Sequence, residues 1–243
     1  MRAFALSVTV LAACSAAPDE PETVVIACAQ EIDRAELREM ETLDLRGCGD
    51  IDFRPLWEAE KLRELTISDP ALTDVRLLAP VRSLEVLRFE SSNVSDLTPI
   101  GSLQNLRELQ VLDTPLTSLA PLARLRRLEM LDVSDTYVID LLQLAEIPTL
   151  KTLHAPRVRI SDVSPLSALP ALQRLDLSEN GITDLQPLAE HPNLAQLSID
   201  VTGNCISEDD PETAEAIRTL ESEAASFQLG GQFAECDSSY FSE

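Results

Sequence analysis

Glycine is scarce in this 243-residue chain, seven in all, and no glycine-rich loop is spaced to cradle a phosphate. Aromatic residues make up 4%, too few for the stacking platforms that hold single-stranded nucleic acid. Lysine occurs only at Lys61 and Lys151. Against 19 Lys and Arg stand 42 Asp and Glu, a formal charge of −23. There is no basic stripe to neutralise phosphates or to hold an anionic membrane surface, so nucleic acid is excluded as a partner. Histidine is limited to His154 and His191, and no Ser/His/Asp or Cys/His nucleophilic set can be assembled. No C-x-x-C pair offers a zinc site, and the adjacent carboxylates Asp209 and Asp210 mark a helix start. The chain is not read as an enzyme, and no cofactor or metal ligand is assigned.

What is present is a period. Met40, Leu62, Leu84, Leu106, Leu128, Leu150, Leu172 and Leu194 follow one another at 22-residue steps. Each is followed three and five places on by another apolar residue, from Leu43 and Leu45 to Leu197 and Ile199. This L-x-x-L-x-L pattern specifies stacked turns of chain, each with a short strand whose fourth and sixth positions face inward. The return half carries Asp at position 13 and Pro at position 16, as in Asp96 and Pro99 or Asp162 and Pro165, which predicts one tight helical turn per repeat. The fold class is therefore an α/β solenoid: a leucine-rich-repeat horseshoe with a concave parallel sheet and a thin convex layer.

These Leu, Asp and Pro-Leu positions resemble the bacterial leucine-rich repeats of the internalin type, over Met40 to Ile206. The resemblance implies recognition, usually of protein. Departures are local: Leu77 and Gln143 replace the proline, Ser118 the aspartate, and His191 takes a convex apolar place. The final repeat holds two extra residues, an even insertion that preserves inward and outward alternation.

Met1 and Arg2 precede a mostly apolar run, Ala3 to Leu11, too short to span a bilayer and followed by small residues. Leu11-Ala12-Ala13-Cys14 resembles the bacterial lipobox, which implies cleavage before Cys14 and its acylation. Cleavage after Ala17 is the competing reading. Ser15 after the cysteine implies sorting to an outer membrane, with the lipid as the sole membrane contact. The organisation is a signal peptide at 1–13, a tether at 14–23, an N-terminal cap at 24–39, repeats at 40–203 and a C-terminal cap at 204–243. In the caps, Val24 to Ala27 reads as a strand, Asp33 to Glu36 as a capping box, Asp210-Pro211 as a helix start, and the tail beyond that helix as a loop.

Four cysteines remain: Cys28, Cys48, Cys205 and Cys236. Seven strand steps of about 4.8 Å separate Cys48 from Cys205 by roughly 34 Å, far beyond disulfide reach, so pairing is local to each cap. A free Cys48 is the alternative, because its ninth position commonly faces inward.

The outward positions vary from strand to strand where the inward ones repeat. Reading the fifth position across the strands gives Asp44, Thr66, Arg88, Gln110, Asp132, His154, Asp176 and Ser198. His154 falls between two aspartates, which reads as a surface ion cluster before a metal site. Arg88, Gln110, Leu112, Met130, Asp132, His154, Arg174 and Asp176 are the candidate contacts for a protein partner on the concave face. The rival reading is a structural component of the envelope that uses its caps or edges.

Overall fold

The computed structural model describes residues 24–27, 34–47 and 52–232. The signal and lipobox, the capping-box Asp33, and Cys28, Cys48 and Cys236 lie outside the described residues. Ten strands form one parallel sheet in chain order: β1 (Val24–Ala27), β2 (Thr42–Arg46), β3 (Glu64–Ser68), β4 (Val86–Glu90), β5 (Glu108–Leu112), β6 (Met130–Asp132), β7 (Thr152–His154), β8 (Arg174–Asp176), β9 (Ser198–Asp200) and β10 (Ser226–Gln228). From β2 to β8 the register steps by 22 residues, so Leu43, Leu65, Leu87, Leu109, Leu131, Leu153 and Leu175 stand in one column. The column is buried throughout, as is the neighbouring one from Leu45 to Leu177. Each leucine contributes about 1.5–3 kcal/mol by leaving water, and each sits on its counterpart in the next turn.

The return halves are short because their ends are satisfied locally. Turns of 3₁₀ helix run over Arg54–Glu58, Arg76–Leu78, Ile100–Ser102, Ala120–Arg124, Leu142–Glu146 and Ser164–Ala168. Helix α2 (Gln186–Ala189) takes their place in the next repeat, after α1 (Arg34–Glu39) in the N-terminal region. Pro55, Pro121, Pro165 and Pro187 fall in the first turn, where a missing N–H costs nothing. The position-13 aspartate accepts the backbone N–H two residues on, as Asp74 does from Arg76 at 2.9 Å and Asp162 from Ser164 at 2.8 Å. Side-chain hydrogen bonds from Arg76 and Ser164 hold these carboxyls below the usual carboxylate range. Ser118 does the same work less closely, at 3.3 Å to Ala120.

His191 stands where the other repeats have aliphatic residues and is buried. Its ring fits because both nitrogens are engaged: Nε2 lies 3.1 Å from the Leu169 carbonyl, and Nδ1 accepts from Asn193 N–H at 3.2 Å. That fixes the neutral tautomer, and burial pushes the imidazole below its ordinary value of 6.5.

The last strands differ from the sequence reading. The two extra residues are taken up before β9, in a turn at Leu194–Gln196. Ser198 consequently pairs with Arg174, and Asp200 pairs with Asp176. The place read for Ser198 in the fifth-position row belongs to Asp200, and Ile199 and Val201 replace Leu197 and Ile199 as the inward pair.

The segment after helix α3 (Pro211–Glu223), read as loop, contains β10, with Phe227 opposite Ile199. Beyond β10 the chain completes part of one more repeat. Gly231 adopts the left-handed φ of +71° found at Gly203, +67°, and at Glu179, +55°. Gln232 then stands in for the ninth-position asparagine. Asn180 Oδ1 accepts from Val158 and Ile160 N–H at 3.2 and 3.0 Å, and its amide donates to Ala155 and Leu177 carbonyls. Asn204 repeats the pattern on Ile182, Leu177 and Val201. Gln232 Oε1 accepts from Asn204 and Ile206 N–H, while its amide donates to Val201 and Leu229 carbonyls. The ladder of buried amides thus ends on a longer side chain reaching in from the tail.

Asn180→Ala strands two buried N–H groups and should lower stability by about 2–4 kcal/mol, measured by denaturant unfolding. Loss of well under 1 kcal/mol would remove the ladder from the account. The His191 contribution has a definite sign. With a folded value below the unfolded one, it is present in full above about pH 6.5 and is lost as pH falls below that. The melting temperature of the wild type relative to that of His191→Leu should therefore fall between pH 8 and pH 5, and a constant difference would refute it.

Candidate binding surface

The concave sheet is built from strand positions 3, 5 and 7, which packing leaves outside the core. Arg88, Gln110, Leu112, Met130, Asp132, His154 and Asp176 are all partly exposed there, and Arg174 is exposed. Asp44, read as outward, is buried, and so are Thr42, Thr152 and Pro156. Asp44 is covered by Arg46, which grips it through Nε and Nη2 at 3.0 and 2.7 Å. Arg174 lies over Thr152, with Nε 3.4 Å from its hydroxyl. Pro156 is past the end of β7, where the chain leaves the sheet.

The charges on this face divide into spent and unspent. Arg88 bridges three strands, to Glu108 at 2.5 Å and Glu64 at 3.5 Å, and Gln110 also donates to Glu108 at 3.0 Å. Arg46 is held by Asp44. Among the described residues, Arg174 is the concave arginine without a carboxylate partner. Pairing places His154 between Asp132 and Asp176, but the ion cluster read from the sequence does not form. Each aspartate turns along its own strand instead: Asp132 accepts from Ser134 N–H and hydroxyl, and Asp176 from Ser178 N–H and hydroxyl. In each case both bonds fall on Oδ1 and hold the carboxylate along its own strand. Asp200 is held the same way by Thr202 N–H at 2.9 Å. No group of three or more metal-ligating side chains is assembled among the described residues.

At the strand entrances lies a second feature, legible in the sequence. Position 2 alternates in sign through Arg63, Glu85, Arg107, Glu129 and Lys151. These form a ladder: Arg63–Glu85 at 2.6 Å, Arg107–Glu129 at 2.6 Å and Lys151–Glu129 at 2.6 Å. Hydrogen bonding from Lys151 holds Glu129 below its usual range. The pairs are half-exposed and each is worth at most about 1 kcal/mol, so the ladder tunes repeat stacking and absorbs charge away from the concave face. The signal was sign alternation at the repeat period.

Cys205 is disulfide-bonded. No helix among the described residues is long and apolar enough to cross a membrane.

Residues 148–190 match the family described as leucine-rich repeats (two copies). Internalin C2 of Listeria monocytogenes is 34% identical over 68% of this chain and 74% of its own, with a TM-score of 0.61. The chain belongs to the internalin-like leucine-rich-repeat family. Internalin F of the same organism is 26% identical, covering 86% of this chain and 66% of its own, with a TM-score of 0.65. More distant solenoids share the fold alone: TLR13, solved with ssRNA13, at 19% identity and a TM-score of 0.65, and the plant receptor RGFR1, solved with RGF2, at 18% and 0.56. The internalin-like chain spans 32% and 36% of those two. No curated protein matches its sequence.

Proposed function

We propose that this internalin-like protein is a lipid-anchored component of the cell envelope that captures a partner protein on its concave sheet. One observation carries the reading: the inward strand positions are buried and chemically uniform, while most of the outward ones are accessible, differ from strand to strand and are not demanded by packing. Solenoids of this curvature use their concave surface for extended contacts. The centre of the surface combines the apolar Leu112 and Met130 with the unpaired Arg174, the kind of side chains that anchor interfaces. Arg88 contributes less, because breaking its two ion pairs offsets what a partner returns.

Anchoring rests on Leu11-Ala12-Ala13-Cys14 and on Ser15, which favours an outer-membrane destination. The Cys205 bridge is proposed to close on Cys236 and that of the N-terminal cap to join Cys28 and Cys48, each contributing about 3 kcal/mol by restricting the unfolded chain.

Two measurements test the pair of claims separately. Palmitate labelling should be present in the wild type and absent in Cys14→Ala, and labelling that persists would sink the anchor. A partner captured from the native envelope should bind Met130→Ala/His154→Ala/Arg174→Ala at least about tenfold more weakly, with the circular dichroism spectrum unchanged. Equal affinity would move the interface to the caps or edges and favour the structural role.

A further inference from the structure

The largest apolar exposures among the described residues sit in the return half of a single repeat. Tyr137, Ile139 and Leu142 are 54%, 64% and 61% exposed, and lie within six residues of one another. Packing does not ask for them. The inward places of the same segment are filled by Val138, Leu141 and Leu144, all buried. Where Ile139 stands, five other repeats have Thr or Ser, from Thr73 to Thr183. The backbone beneath is fixed: Tyr137 N–H donates to the Leu116 carbonyl at 2.8 Å, and Leu142 N–H to Asp140 Oδ1 at 2.7 Å. An exposed apolar cluster on a rigid base is an interface waiting for a cover.

Its charges say what the cover is. At one end the Arg159 guanidinium lies over the Tyr137 ring, 5.8 Å from its centroid. At the other, beside Leu142, is the exposed carboxylate of Asp140. Ile139 lies between. A patch that is positive at one end, negative at the other and apolar at its centre is complementary to itself when turned through a half-rotation, which is what a two-fold contact requires. The rest of the molecule opposes self-contact, since a charge of −23 repels its copy. On the neighbouring repeats the patch is flanked by Thr117, Ser118 and Ala120 on one side, and by Ser161, the exposed carboxylate of Asp162 and Ser164 on the other.

We propose that two copies of this chain pair through the flank of the repeat bearing Ile139, the two-fold axis passing near that residue and Arg159 of each copy facing Asp140 of the other. Because the patch lies in the return half and not on the sheet, both concave faces stay open, and the pair presents two binding surfaces. This does not depend on the concave face binding anything.

Sedimentation equilibrium of the full chain from low to high micromolar concentration tests it. The wild type should show a monomer–dimer equilibrium, and Ile139→Asp should weaken it at least about tenfold, because it buries an unpaired carboxylate at the centre of the contact. Arg159→Glu and Asp140→Lys should each weaken pairing alone, whereas their equimolar mixture should restore it, each contact then joining opposite charges. Thermal melts check that the variants fold, and Ile139→Asp, at an exposed site, keeps the test valid should loss of the Asp140 turn destabilise its variant. A wild type monomeric throughout, pairing untouched by Ile139→Asp, a mixture that fails to restore it, or a patch that binds only some other protein would each overturn the proposal.

Discussion

The structure depends on one constraint: every turn of chain must deliver its strand in register with the strand before it. Parallel hydrogen bonding along a common axis allows no slippage, since a shift of one residue would turn the leucine columns to solvent and the charged rows to the core. The 22-residue period is the length that meets this condition with one strand, one tight return turn and two corners. The aspartate or serine that caps the return turns, the proline that opens most of them and the buried amides that tie the last corners all serve the same closure. The last full repeat shows how strict it is. Two extra residues are absorbed in a turn before β9, and the ladder of inward side chains continues as if nothing had been added.

Stacking of this kind separates duties among surfaces. The core columns and the buried asparagines carry cohesion, and the alternating charges at the strand entrances hold exposed neighbours together at small individual gain. What remains outside these duties is the concave sheet, where chemistry changes from strand to strand, and one apolar stretch on the flank. Neither contributes to folding in any way the packing reveals. The large negative charge is consistent with this division, for it keeps the outer surface solvated and leaves contact to the few places where it is compensated or absent.

Much of this was legible in the amino-acid order. The period named the fold, because a repeat places the same side chain in the same environment each time, and the proline and aspartate positions named the return turns. Interruptions of the period were harder to read. Counting residues from Leu194 put Ser198 in the outward row, since nothing in the sequence says on which side of a strand an insertion is accommodated; the register puts Asp200 there. The tail after α3 lacks the leucine pattern, and Gln232 is not an asparagine, so a further partial repeat could be recognised only from its hydrogen bonds. Strand spacing alone makes His154 an ion cluster with its flanking aspartates, but the serines two residues along engage those carboxylates. The flank patch is legible as a departure from the period, since Ile139 stands where five other repeats carry Thr or Ser.

If the concave face, and not the convex layer, meets the partner, cross-linking will follow the face. A photo-activatable residue substituted at Met130 on that face, and in a second chain at the exposed convex Thr98, reports it directly when irradiated in the native envelope. The account predicts a cross-linked protein from position 130 and none from position 98. A cross-link from position 98 alone would contradict it.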